Sequence, residues 1–120
     1  MYKNFIPSLL LITVLASPTL YADTEFTRAE IFVNSPDTVA SYDCEGRNVT
    51  VRGPDSRLTL KGNCPVVNVI APDCTIHVDA VNKIQISGPK SKVYYKRSLH
   101  PSRFVQVKSF GPNSAAYQVR

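Results

Sequence analysis

The chain has 120 residues, three cysteines and no tryptophan, and its 14 Lys and Arg against 9 Asp and Glu leave it at +5. That length excludes more than one ordinary domain. All nine acids lie before residue 80 and residues 80–120 hold eight bases, so the second part of the chain offers no carboxylate as a general acid or base.

The first 22 residues stand apart. Lys3 is the only charge before Asp23, and Phe5 to Ala16 is apolar apart from Pro7, Ser8 and Thr13. Pro18 then precedes Leu20, Tyr21 and Ala22. This order predicts a secretory signal peptide over 1–22, cleaved after Ala22. About a dozen apolar residues are too few for an anchor that spans a bilayer. The expected domain is therefore 23–120, periplasmic or secreted, with no membrane span after cleavage. In an oxidising compartment a disulfide is the default for two of three cysteines.

Five turn signals punctuate the domain: Ser35-Pro36-Asp37-Thr38, Gly53-Pro54-Asp55-Ser56, Ala71-Pro72-Asp73-Cys74, Gly88-Pro89-Lys90-Ser91 and Gly111-Pro112-Asn113-Ser114. Their spacings are 18, 18, 17 and 23 residues. Proline in second position presets φ for a tight turn, and Gly, Asp, Asn and Ser suit its neighbours. Each is flanked by short alternating apolar runs, such as Val49-Thr50-Val51 and Leu58-Thr59-Leu60, which read as strands with one buried face. Residues 23–30 have no partner in the repeat and read as an N-terminal cap. The fold class is all-β.

A 17–18-residue repeat with two short strands is too brief for a propeller blade and fits one coil of a β-solenoid. One coil buries about four side chains at roughly 2 kcal/mol each, too little against the entropy of ordering it, so coils must stack. The expectation is a parallel β-solenoid of about five coils. Its core columns would be Ile31/Val49/Val67/Ile84/Val105 with Val33/Val51/Val69/Ile86/Val107, facing Ala40/Leu58/Ile76/Val93 with Tyr42/Leu60/Val78/Tyr95. A β-sandwich is the rival, since short strands between turns also describe that fold. The second corner of each coil is less regular, and in the fourth it grows into an insertion, Lys96 to Ser102. Such a loop on a rigid scaffold is a place for function.

The stretches CEGRNVTVRG (Cys44 to Gly53), LTLKGNC (Leu58 to Cys64) and VDAVNKIQISG (Val78 to Gly88) resemble the small exported bacterial proteins grouped as domain of unknown function 3060. The resemblance runs from about Tyr42 to Val119. In that family the turn usually reads Gly-Ser-Gly/Asn-Asn, where this chain has Gly-Pro-Asp-Ser. The resemblance implies an exported stacked-β domain with no assigned activity.

Several residues could carry chemistry. Cys44 and Cys64 are 20 residues apart, about one coil, which places them on adjacent rungs within disulfide reach. Cys74 is then free, in a slot that holds Thr38, Ser56, Ser91 and Ser114 elsewhere. Asp37, Asp55 and Asp73 would stack as a carboxylate column whose repulsion, about 1 kcal/mol per pair in water, recruits a hard cation such as Ca²⁺. The bland reading is that Asp suits the turn. Cys74 and His77 have a C-x-x-H spacing with Asp73 and Asp79 near, but a strand turns His77 outward while Cys74 sits at the corner, so a four-ligand zinc site is not expected. No nucleophile elbow, zincin motif or phosphate loop is present, so neither catalysis nor a cofactor is expected.

The remaining feature is a strip of outward positions. Arg57, Lys61, Lys92, Tyr94 and Lys96 make it basic with a ring in it, suited to an acidic glycan or envelope polymer rather than nucleic acid. The expected function is a non-catalytic structural or interaction module of the cell envelope, with that polymer or a protein as partner. Opposite charge at the two ends also predicts weak head-to-tail self-association.

Overall fold

The turn motifs stack on one another, and the strand order follows from that stacking. A computed structural model describes residues 24–100 and 103–119; the expected signal peptide lies outside the described residues. The strands are β1 (Thr24–Phe26), β2 (Glu30–Val33), β3 (Val39–Asp43), β4 (Asn48–Val51), β5 (Arg57–Val69), β6 (Thr75–Ile86), β7 (Lys92–Ser98), β8 (Gln106–Ser109) and β9 (Ala115–Gln118). Among the described residues there is no helix, and so none long and apolar enough to cross a membrane.

Apart from the antiparallel pair β1–β2, every pairing is parallel. That excludes the antiparallel sandwich. The strands β2, β4, the end of β5, the end of β6, and β8 build one side. The second side comprises β3, the start of β5, the start of β6, β7 and β9. Five rungs related by four steps make a parallel β-solenoid of about four turns.

The corners explain the regularity. Asp37, Asp55, Asp73, Lys90 and Asn113 all have φ between 57° and 59°. With proline before them, these are the angles of a type II turn. Each corner also bonds to the next: the N–H groups of Asp37, Asp55, Asp73 and Lys90 donate to the carbonyls of Pro54, Pro72, Pro89 and Pro112 at 2.9–3.1 Å. The parallel ladder thus runs through the turns.

Two expectations are corrected. The last rung is displaced by two residues: Ile84 pairs with Val107 and Ile86 with Ser109, not with Val105 and Val107. The fixed element is the offset to the turn proline. Ile31, Val49, Val67, Ile84 and Val107 each lie five residues before theirs. The second corner, read as a less regular break between two short strands, is continuous strand in the middle rungs. β5 and β6 bend round it, with Asn63 pairing with Ala80 and Cys64 with Val81 after a bulge at Lys61 and Gly62. The core therefore has a third, narrow inward column of Cys44, Cys64 and Val81, all fully buried.

Elsewhere the inward columns are as the alternation predicts, from Ile31 to Ile86 on one side and Leu58 to Val93 on the other. β1 covers the outer edge of β2. It is held there by the 2.8 Å hydrogen bond between the hydroxyls of Thr24 and Tyr42 and the edge-on contact of Phe26 with Tyr42. Among the described residues nothing pairs with that edge of β3, so this end of the coil is stepped.

Candidate functional site

Cys44 and Cys64 form a disulfide between the first two rungs, inside the core and fully buried. It joins neighbouring rungs because their Cα atoms stand 5.3 Å apart, within bridging distance. Cys74 is free and buried.

The slot holding Cys74 faces inward, which the sequence reading did not resolve. Ser56 and Ser91 in the same slot are fully buried and donate to the carbonyls of Gly53 and Ala71, both at 2.8 Å. The Cys74 thiol donates to the Gly53 carbonyl at 3.3 Å, and the Cys74 N–H donates to the Ser91 hydroxyl at 3.2 Å. The slot requires a small side chain that can donate. Thr, Ser and Cys satisfy it, which gives Cys74 a packing role. Burial pushes its thiol above the ordinary value, with Asp55 and Asp73 acting the same way against hydrogen bonds from Ser56 and Ser91.

The candidate cation column is reinterpreted by the backbone. Asp37, Asp55 and Asp73 share the left-handed conformation, which Asp and Asn tolerate better than most residues. Among the described residues, no group of three His, Cys, Asp or Glu side chains is arranged to hold a metal ion.

The basic strip lies on the outer face of the second side, spread over three rows. In the first, Val39, Arg57, Thr75, Lys92 and Ala115 are in register. In the second are Ser41, Thr59, His77, Tyr94 and Tyr117. Lys61, beside Asp43, and Lys96 belong to the third. Arg57, Lys61 and Lys96 are exposed, whereas Lys92 and Tyr94 are half-buried against their neighbours.

The strip is not uniformly basic. Arg57 lines one recess with Asp37, Asp55 and Asp73, so its field is opposed by the corner carboxylates. One rung beyond Asp73 that corner holds Lys90. The basic character therefore concentrates on the fourth rung, around Lys90, Lys92 and Lys96. Among the described residues none of these three is in an ion pair; Arg97 is, 3.8 Å from Asp79.

The middle row carries a feature that sequence reasoning missed. His77 stacks on Tyr94 with centroids 5.1 Å apart and planes 18° apart, and Tyr94 stacks on Tyr117 at 5.6 Å and 24°. Each contact contributes roughly 0.5–1.5 kcal/mol beyond area burial. The signal was the same turn offset: His77, Tyr94 and Tyr117 each follow their proline by five residues. Because Tyr94 uses both faces on its neighbours, the middle of the ladder offers solvent a ring edge, the positive part of an aromatic ring. The other outer face differs in kind, with Phe32, Thr50, Asn68, Gln85 and Lys108 in register.

A family model described as "Protein of unknown function (DUF3060)" matches residues 48–103, from β4 through β7 into the insertion. No curated protein and no solved structure matches the chain. The resemblance to the DUF3060 proteins of unknown function is thereby borne out over residues 48–103.

Proposed function

We propose that the protein is an exported, non-catalytic interaction module of the cell envelope that binds an anionic polymer, such as an acidic glycan, along its second outer face. The observation that carries this reading is the His77–Tyr94–Tyr117 ladder with Lys92 and Lys96 beside it. Ring edges, phenolic and imidazole donors and ammonium groups all favour negative charge. Along the ladder, successive rungs repeat at the strand spacing of about 4.8 Å, a rigid comb suited to a polymer with regularly spaced carboxylates. Export is supported by the order of residues 1–22 and agrees with the disulfide. The absence of any acid after Asp79 in the sequence favours binding over acid–base chemistry.

The test is affinity for polygalacturonate against its fully methyl-esterified, neutral form. Binding should require the free carboxylates and weaken as salt rises. Lys92→Gln with Lys96→Gln, and separately Tyr94→Ala, should each weaken it by roughly tenfold while circular dichroism stays that of the parent. Unchanged affinity in both variants would sink the proposal.

A further inference from the structure

We propose that the rim formed by Arg103, Phe104 and β8 with Phe110 docks on a membrane surface of anionic phospholipid. From Arg103 to Phe110 every side chain except Val105 is exposed. Phe104 is 95% exposed and Phe110 69%. The exposure of Phe110 belongs to its slot: two residues before each turn proline stand Asn34, Arg52, Ile70, Ser87 and Phe110, all exposed. Polar or charged residues fill that outward corner on three of the other four rungs, and a phenylalanine there has no inward packing to explain it.

The bases around these rings supply the second half of a membrane contact. Arg97 and Arg103 line one recess with Leu99 and Phe104. Lys108 stands on the outer row beside Gln85. Among the described residues Arg97 pairs with Asp79 at 3.8 Å, and residues 80–119 contain no carboxylate side chain. Exposed aromatic rings interspersed with bases match a bilayer surface, where rings enter the acyl boundary and ammonium or guanidinium groups meet phosphates. Phe104 and Phe110 carry no hydrogen-bonding group, so they add nothing to the charge-specific recognition of a soluble anionic polymer. A second copy of this rim would bring the same bases and be repelled. Charge and apolar exposure together commit the proposal to the anionic bilayer as occupant; a blue shift at 104 and 110 at low salt without lipid would assign the rim to the acidic end of a second copy and overturn it. This site is on a different face from the aromatic ladder and does not rest on it.

The chain contains no tryptophan, so a single one reports its own surroundings. Phe104→Trp, Phe110→Trp and, at the acidic end, Val39→Trp are each mixed with phosphatidylglycerol or phosphatidylcholine vesicles carrying brominated acyl chains. Residues 104 and 110 should shift to the blue and be quenched on phosphatidylglycerol only, with residue 39 unaffected. Arg103→Gln with Lys108→Gln in the Phe110→Trp background should raise the lipid concentration at half-effect roughly twenty-five-fold, at about fivefold per base. The matched loss on the other face, Lys61→Gln with Lys92→Gln, should leave it within twofold. Equal responses at 39, 104 and 110, an equal effect of the two charge pairs, or the same shift with polygalacturonate would each overturn the proposal. So would silence at 104 and 110.

Discussion

The carbonyl oxygen of Ser35 occupies the place that a β-carbon on Gly53 would take. Corners stack so closely that the first turn position of one rung lies against the backbone of the preceding one. Gly53→Ala must push two hydrogen-bonded corners apart, and we expect a loss of more than 3 kcal/mol or failure to fold. Gly46, with φ of 83° and open space around it, should cost only about 1–2 kcal/mol as alanine. Urea denaturation of the two variants compares them directly. Equal losses would show that the corner has room to relax.

The buried Cys44–Cys64 bridge closes a loop of 20 residues between the first two rungs. Replacing both cysteines by alanine should lower stability by about 3 kcal/mol. Because both sulfurs are shielded, a reductant should act only as the coil opens. Thiol labelling in denaturant without reductant should find one reactive cysteine per chain, and peptide mapping should place it at Cys74.

Cys74 should tolerate serine and reject bulk. Cys74→Ser keeps a small donor in the slot and should stay within about 1 kcal/mol of the parent, while Cys74→Leu overpacks it by roughly 1–3 kcal/mol or more. The raised thiol value sets a pH dependence. Below the ordinary thiol value, about 8.5, folded and unfolded chains both hold the proton. Above it the unfolded chain releases its proton and the folded chain does not, so this group lowers stability as pH rises until its raised folded value is passed. Cys74→Ser should remove that part of the alkaline loss, measured as denaturation midpoints between pH 8 and 10.

The corner aspartates should act through backbone conformation. Asp55→Asn should be nearly neutral, whereas Asp55→Val, β-branched in the left-handed region, should cost about 1–2 kcal/mol. Millimolar Ca²⁺ should leave the thermal midpoint of the parent unchanged. A rise that disappears in Asp55→Asn would restore the carboxylate column as a cation site.

The stacked architecture was legible because its causes are local. Proline at a fixed turn position, a residue that accepts positive φ after it, and alternation on either side recur in each copy, and local rules of this kind survive into the fold. The 20-residue spacing of Cys44 and Cys64 placed them on neighbouring rungs for the same reason. The last register was not legible from hydrophobicity. A slip of one residue turns a strand inside out, but a slip of two keeps every side chain on its face, so Val105 and Val107 fit the pattern as well as Val107 and Ser109 do. The hydrogen bond from Lys90 to the Pro112 carbonyl decides between them, because stacking that corner fixes the offset of β8.

The candidate site depended on the same distinction. Lys92, Tyr94 and Lys96 could be placed outward from alternation alone. That Arg57 shares a recess with Asp37, Asp55 and Asp73, and that Tyr117 completes a stack with Tyr94 and His77, are relations between rungs. Residues 17 to 23 positions apart meet only when the coil closes. The sequence by itself determined which face the side chains of the alternating runs take. Only the tertiary structure decided which side chains meet, because strand pairing sets the relative position of rungs and the backbone at the corners sets the pairing.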